Sequence, residues 1–196
     1  MKRIMCMVAG LMLFAVSAAA QPPSAGEKVG LATSLRRAYG TLKGNLTQAA
    51  ERMPEANYGF KPASDPDLRT YGQWIGHQAD NQFTNCATIK GVPNPNPSPA
   101  QSNEKKMTKA ELVKALADAF AFCDGAISAL TDQNAVQMVK QGEGEIARGG
   151  VASALLSHGL ESYGIVVVYL RAKGIAPPTA APPAGGRAGR GGRGGQ

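Results

Sequence analysis

Residues 151–178 read VASALLSHGLESYGIVVVYLRAKGIAPP, and this stretch decides the fold. Val151, Leu155, His158, Ser162, Ile165 and Tyr169 recur at steps of four and three, which places them on one stripe of an α-helix. Taken alone, Ile165 to Val168 reads as a buried strand. The helical period continues on both sides of that run, over a length no ordinary strand reaches. Arg171 and Lys173 stand in the last turn, where cations oppose the negative end of the helix dipole. Gly174 then caps the helix, and Pro177 and Pro178 forbid its continuation. Two polar residues, His158 and Ser162, therefore lie on the inward-facing line.

Working outward, Gly26 to Met53 carries Leu31, Leu35, Ala38, Leu42, Leu46, Ala49 and Met53 at helical spacing, which predicts one amphipathic helix. Pro54 follows, and Tyr58 and Phe60 are expected to plug the end of the helix assembly. Thr70 is the expected N-cap of a second helix running to about Lys90, with the apolar stripe Tyr71, Ile75, Ala79, Phe83, Cys86 and Ile89. His77 falls off that stripe, beside Trp74 and Asn81, at a boundary position. Residues 92–106, VPNPNPSPAQSNEKK, form a loop. A connection this long hints at a crossover between parallel neighbours. The capping box Thr108-Lys109-Ala110-Glu111 opens a third helix with the stripe Leu112, Leu116, Phe120, Cys123, Ile127 and Leu130. Asp132 to Gly150 reads as a glycine-studded irregular connection with one helical turn around Ala135 to Lys140.

The closing segment resembles the last helix of the DinB-like family of metal-binding four-helix bundles. His158, Gly164, Tyr169-Leu170-Arg171, Gly174 and Pro177-Pro178 match it, and Gly76-His77-Gln78-Ala79-Asp80 resembles the place where the family presents its first histidine. The resemblance implies an all-α four-helix bundle in up-down-down-up order. It also implies a divalent ion held by one histidine of the second helix and two, four residues apart, of the fourth. Here Ser162 stands where the second of that pair is expected, and a neutral hydroxyl is a poor ligand for a zinc-like ion.

The chain ends set the context. Lys2 and Arg3, the apolar run from Ile4 to Val16, and Ala18-Ala19-Ala20 form the pattern of a secretory signal peptide over residues 1–20. The expected bundle domain covers 21–178, and 179–196 is a Pro/Gly/Arg-rich stretch expected to be disordered. The formal charge of +7 is misleading for the domain. Lys2 and Arg3 leave with the leader, and Arg187, Arg190 and Arg193 lie in the tail, so five of the seven charges go and about +2 remains. Nothing in the folded part calls for a nucleic-acid partner, and no transmembrane segment is expected after the leader is removed. Cys86 and Cys123 both face inward. An exported protein permits a disulfide between them, and buried free thiols are the alternative.

The expected functions follow from these residues. The first is an exported bundle, periplasmic or extracellular, with a degenerate metal site at His77 and His158 and a binding or accessory role. Its partner is a small molecule or an envelope component, and a homodimer is compatible with it. The alternative is a divalent-metal-dependent hydrolase or thiol S-transferase, with zinc, nickel or manganese held by His77, His158 and a carboxylate. Glu161 is the nearest candidate for that carboxylate, Glu143 and Glu145 the next. A nucleophilic pair of Ser162 and His158 lacks an evident orienting group. A third class is an envelope interaction protein tethered to anionic surfaces by its arginine tail.

Overall fold

The computed structural model describes residues 23–179. The expected leader and all but the first residue of the expected tail lie outside this range. Helix α1 spans Leu31–Arg52, α2 Tyr71–Lys90 and α3 Lys109–Ser128; a short α4, Asp132–Ala135, precedes the strands β1 (Met138–Gln141) and β2 (Gly144–Ala147) and the long α5, Arg148–Ala172.

Contacts at the helix ends fix the direction of each helix. The Tyr71 hydroxyl at the start of α2 donates to Ala49 O near the end of α1, and Lys109 at the start of α3 donates to Glu51 O and Met53 O. Helices α2 and α3 therefore both run against α1. They run parallel to each other: Gly72 faces Leu112 at their starts, and Cys86 meets Cys123 near their ends. The Tyr169 hydroxyl, late in α5, donates to Arg69 O just before α2, which turns α5 against α2 and alongside α1. The order is up-down-down-up, as expected. Tyr58 is buried and donates to Ala50 O, while Phe60 meets the Tyr169 ring edge-on, so the aromatic pair closes this end of the bundle.

Cys86 and Cys123 are joined, with Cα atoms 5.2 Å apart. Packed helix axes ordinarily stand about 8–10 Å apart, too far for most register choices. Small buried residues along both helices, Gly72 and Ala79 on α2 and Ala115, Ala119 and Ala126 on α3, permit the close approach.

The structure departs from the sequence expectation in three places. Helix α1 starts at Leu31 rather than Gly26: Gly26 has φ 82°, outside the helical region, and the N-cap Gly30 is still extended at φ −71°, ψ 169°. Its cap also comes from elsewhere in the chain: Asp132 Oδ1 accepts Ala32 N at 2.7 Å, and a Cβ at Gly30 would collide with that carboxylate. The segment 132–150 is ordered, with its helical turn at Asp132–Ala135 rather than Ala135 to Lys140. A two-stranded antiparallel hairpin then pairs Val139 with Ile146. Finally, α5 begins at Arg148, directly after the hairpin, three residues before Val151. This helix is long and apolar enough by composition to cross a bilayer, and its buried residues Val151, Leu155, Val166 and Leu170 show that the apolar face is spent on the core.

Candidate functional site

Parallel neighbours α2 and α3 oblige residues 91–108 to retrace the length of α2, about 30 Å for twenty residues at the helical rise. The segment does so in contact with the helix. Asn94 Nδ2 donates to Thr84 Oγ1 and Asn96 Nδ2 to Asp80 Oδ1. Asp80 then gathers Ser102 Oγ at 2.6 Å, Asn103 N at 3.0 Å and Asn103 Nδ2 at 2.6 Å. One turn back, Gly76 presents bare backbone: a Cβ there would stand 2.5 Å from Asn103 O and 2.7 Å from Glu104 N. Residues four apart share a helix face, so Gly76 and Asp80 together clamp the strap against α2.

The clamp delivers Glu104 to His77. Glu104 Oε1 lies 2.9 Å from His77 Nδ1, and Arg69 Nε holds Oε2 at 2.9 Å. Burial alone would raise the Glu104 pKa, but hydrogen bonds from Arg69 and His77 outweigh it and hold the carboxyl below its usual 4.5. An ionised carboxylate only accepts, so the proton between them is on His77 Nδ1. His77 Nε2 is left with a lone pair in the neutral ring. It meets His158 Nε2 at 2.9 Å, and in the hydrogen-bonded tautomer His158 Nε2–H is the donor. Burial lowers the His77 pKa from its ordinary 6.5, against the upward pull of Glu104. The side chains of His77 and His158 are 23% and 40% exposed, so the pair sits at the rim of the bundle. Trp74 stands edge-on to His77 and donates its Nε1–H to Tyr169.

The expected site residues separate under this geometry. His77 and His158 come together. Ser162, one turn from His158, is 1% exposed, and its Oγ has no hydrogen-bond partner among the described residues. No nucleophile–base contact links it to an imidazole. Glu161 Oε2 lies 3.7 Å from His158 Nδ1, not from Nε2, and is 73% exposed. The tip of the hairpin carrying Glu143 and Glu145 borders Thr84, Thr88 and Gly91, about 10–20 Å along α2 from His77 at the helical rise.

A three-ligand metal centre does not fit these residues. The Nε2 atoms converge, but both neighbouring carboxylates stand on the Nδ1 sides of the rings, and the remaining group is a hydroxyl. Among the described residues, no group of three or more His, Cys, Asp and Glu side chains is arranged to hold an ion. Glu104 occupies the orienting position that outer carboxylates take behind liganding histidines, and it does so without a complete inner set. Glu104 is not among the residues expected from the sequence. It was findable: once α2 and α3 are parallel, the last residues of the strap must pass the first turns of α2.

The DinB superfamily description matches residues 39–164. Among solved structures, the fold is similar to a DinB-like protein from Bacillus subtilis, with a TM-score of 0.57 and 16% identity over 72% of this chain and 92% of that one. It is also similar to a DinB-like protein from Bacillus cereus ATCC 10987, with a TM-score of 0.61 and 11% identity over 75% of this chain and 95% of that one. Comparison with curated proteins returns no match. The strapped helical bundle and the match across most of its length place the chain in one group: it belongs to the DinB superfamily.

Proposed function

We propose that the protein is an exported DinB-like bundle whose metal centre has been replaced by a hydrogen-bonded histidine pair, and that it serves as a binding or accessory protein. The observation that carries this reading is the 2.9 Å contact between the Nε2 atoms of His77 and His158, with Glu104 fixing the His77 tautomer from behind. With the proton of His158 on Nε2, the two nitrogens at the meeting point satisfy each other, and no lone pair there is free for an ion. The rim position suits recognition of a small polar molecule or an envelope component. The leader-like residues 1–20 support export.

The test is metal binding by protein purified without a histidine tag, offered zinc, nickel and manganese in turn, beside Ser162→His. The reading expects an empty wild type and about one equivalent in the variant, because a third imidazole restores the donor set. One equivalent in wild type, lost on His77→Ala and on Glu161→Ala, would overturn it in favour of a divalent-metal hydrolase or thiol S-transferase. One feature favours that second reading: moving the His158 proton from Nε2 to Nδ1, on the Glu161 side, would free two lone pairs at the same point.

A further inference from the structure

We propose that a cleft at the opposite end of the bundle binds a small carboxylate with an apolar body. The cleft, about 350 Å³, opens where α2 and α3 end and α5 begins. Ile89, Val92, Ala126 and Leu130 supply carbon, and Lys90 and Arg148 supply charge; no acidic side chain lines it. Lys90 lies thirteen residues beyond His77 and Arg148 ten before His158, about 15–20 Å along their helices, so this cleft is separate from the histidine pair.

Both cations have only neutral partners. Lys90 Nζ donates to Phe122 O at 3.2 Å and stands 4.0 Å over the Phe122 ring. Arg148 Nη1 reaches Gln137 Oε1 at 3.3 Å, and Arg148 Nε is buried with no hydrogen-bond partner among the described residues. Neither forms an ion pair with the described residues. Two cations that line one cleft with no carboxylate to answer them favour an anion there, and a carboxylate matches the guanidinium fork in geometry and charge. The first turn of α5 adds potential of the same sign, since it holds no acidic residue and its N-cap Ala147 offers no side-chain acceptor. The apolar walls select among anions. A bare hydrated ion leaves them wet, whereas a ligand with its own carbon body covers them.

The probe is benzoate, titrated into the purified protein by calorimetry and by NMR of the alanine methyls, with benzamide as its neutral analogue and inorganic phosphate as a hydrated anion. Benzoate is expected to saturate one site and to shift the Ala126 and Ala129 methyls. Arg148→Gln and, separately, Lys90→Gln should each weaken it about tenfold or more, and benzamide and phosphate should bind at least about tenfold more weakly than benzoate. Circular dichroism checks that Arg148→Gln keeps its helices; Lys90 is exposed, so its variant gives the second reading if that check fails. Absence of saturation, benzamide or phosphate binding as tightly as benzoate, or affinity unchanged in the folded variants would overturn the proposal.

Discussion

The α-carbon of Gly76 and the backbone of Asn103 are packed so closely that the site for a Cβ on Gly76 lies 2.5 Å from Asn103 O. The neighbour is main chain, held in place by Asp80, so it cannot swing aside as a side chain would. Gly76→Ala is therefore expected to destabilise the protein by about 1–3 kcal/mol, the usual cost of overpacking. It should also part Glu104 from His77. Urea unfolding gives the first quantity and the His77 ring nitrogen shifts the second; a variant with wild-type values in both would refute the clamp.

Acid should act on the same unit in two windows. The folded His77 has a pKa below 6.5, so on acidification the unfolded chain takes up this proton first. Its contribution is intact above about pH 6.5 and is lost as pH falls through that value toward the folded pKa. Glu104, held below 4.5, contributes stability above that pH that is lost as the pH falls further. Glu104→Gln removes a charge that favours imidazolium, so the His77 titration followed by NMR should move still lower. An unchanged or higher midpoint would mean the carboxylate does not act on the ring.

The Cys86–Cys123 bridge closes a 37-residue separation, and the chain-entropy estimate for such a loop is about 4 kcal/mol. The double variant Cys86→Ser, Cys123→Ser should lose stability of that order, and more where the new hydroxyls stay buried without partners. Reductant should destabilise the wild type and leave the double variant unaffected. Equal stability of wild type with and without reductant, after thiol titration confirms reduction, would contradict the prediction.

Gln78 is fully buried on α2, and neither of its amide atoms has a hydrogen-bond partner among the described residues. Replacing an unsatisfied buried amide by an apolar chain of similar shape removes a desolvation cost of about 1–3 kcal/mol. Gln78→Met is expected to raise the unfolding midpoint in urea. A loss of stability would show that the amide is paired through water in solution.

Much of this architecture is legible in the sequence, and the physical reasons differ from element to element. Thr70 and Thr108 announce their helices because a capping box is a local device, and both boxes form with reciprocal hydrogen bonds. The parallel course of α2 and α3 follows from the length of the loop between them. The start of α1 is not legible, because its capping group, Asp132, lies a hundred residues away in sequence. The hairpin is hidden by the shortness of its strands, four residues each, too few to show a period. At the site, His77 and His158 are found from their placement and from the family likeness. Glu104 has no periodicity to mark it in its loop, and only the return of the strap past the first turns of α2 points to it.

That Glu104 rides on a connecting segment separates two things that most bundle sites weld together. The histidines are set by helices that also build the core, so moving either one disturbs the whole protein. The carboxylate that tunes them is set by a strap pinned at Gly76 and Asp80. Insertions or substitutions in residues 91–102 can therefore alter the basicity and tautomer of His77 while the scaffold stays as it is, which gives this fold a place to vary its chemistry without rebuilding itself.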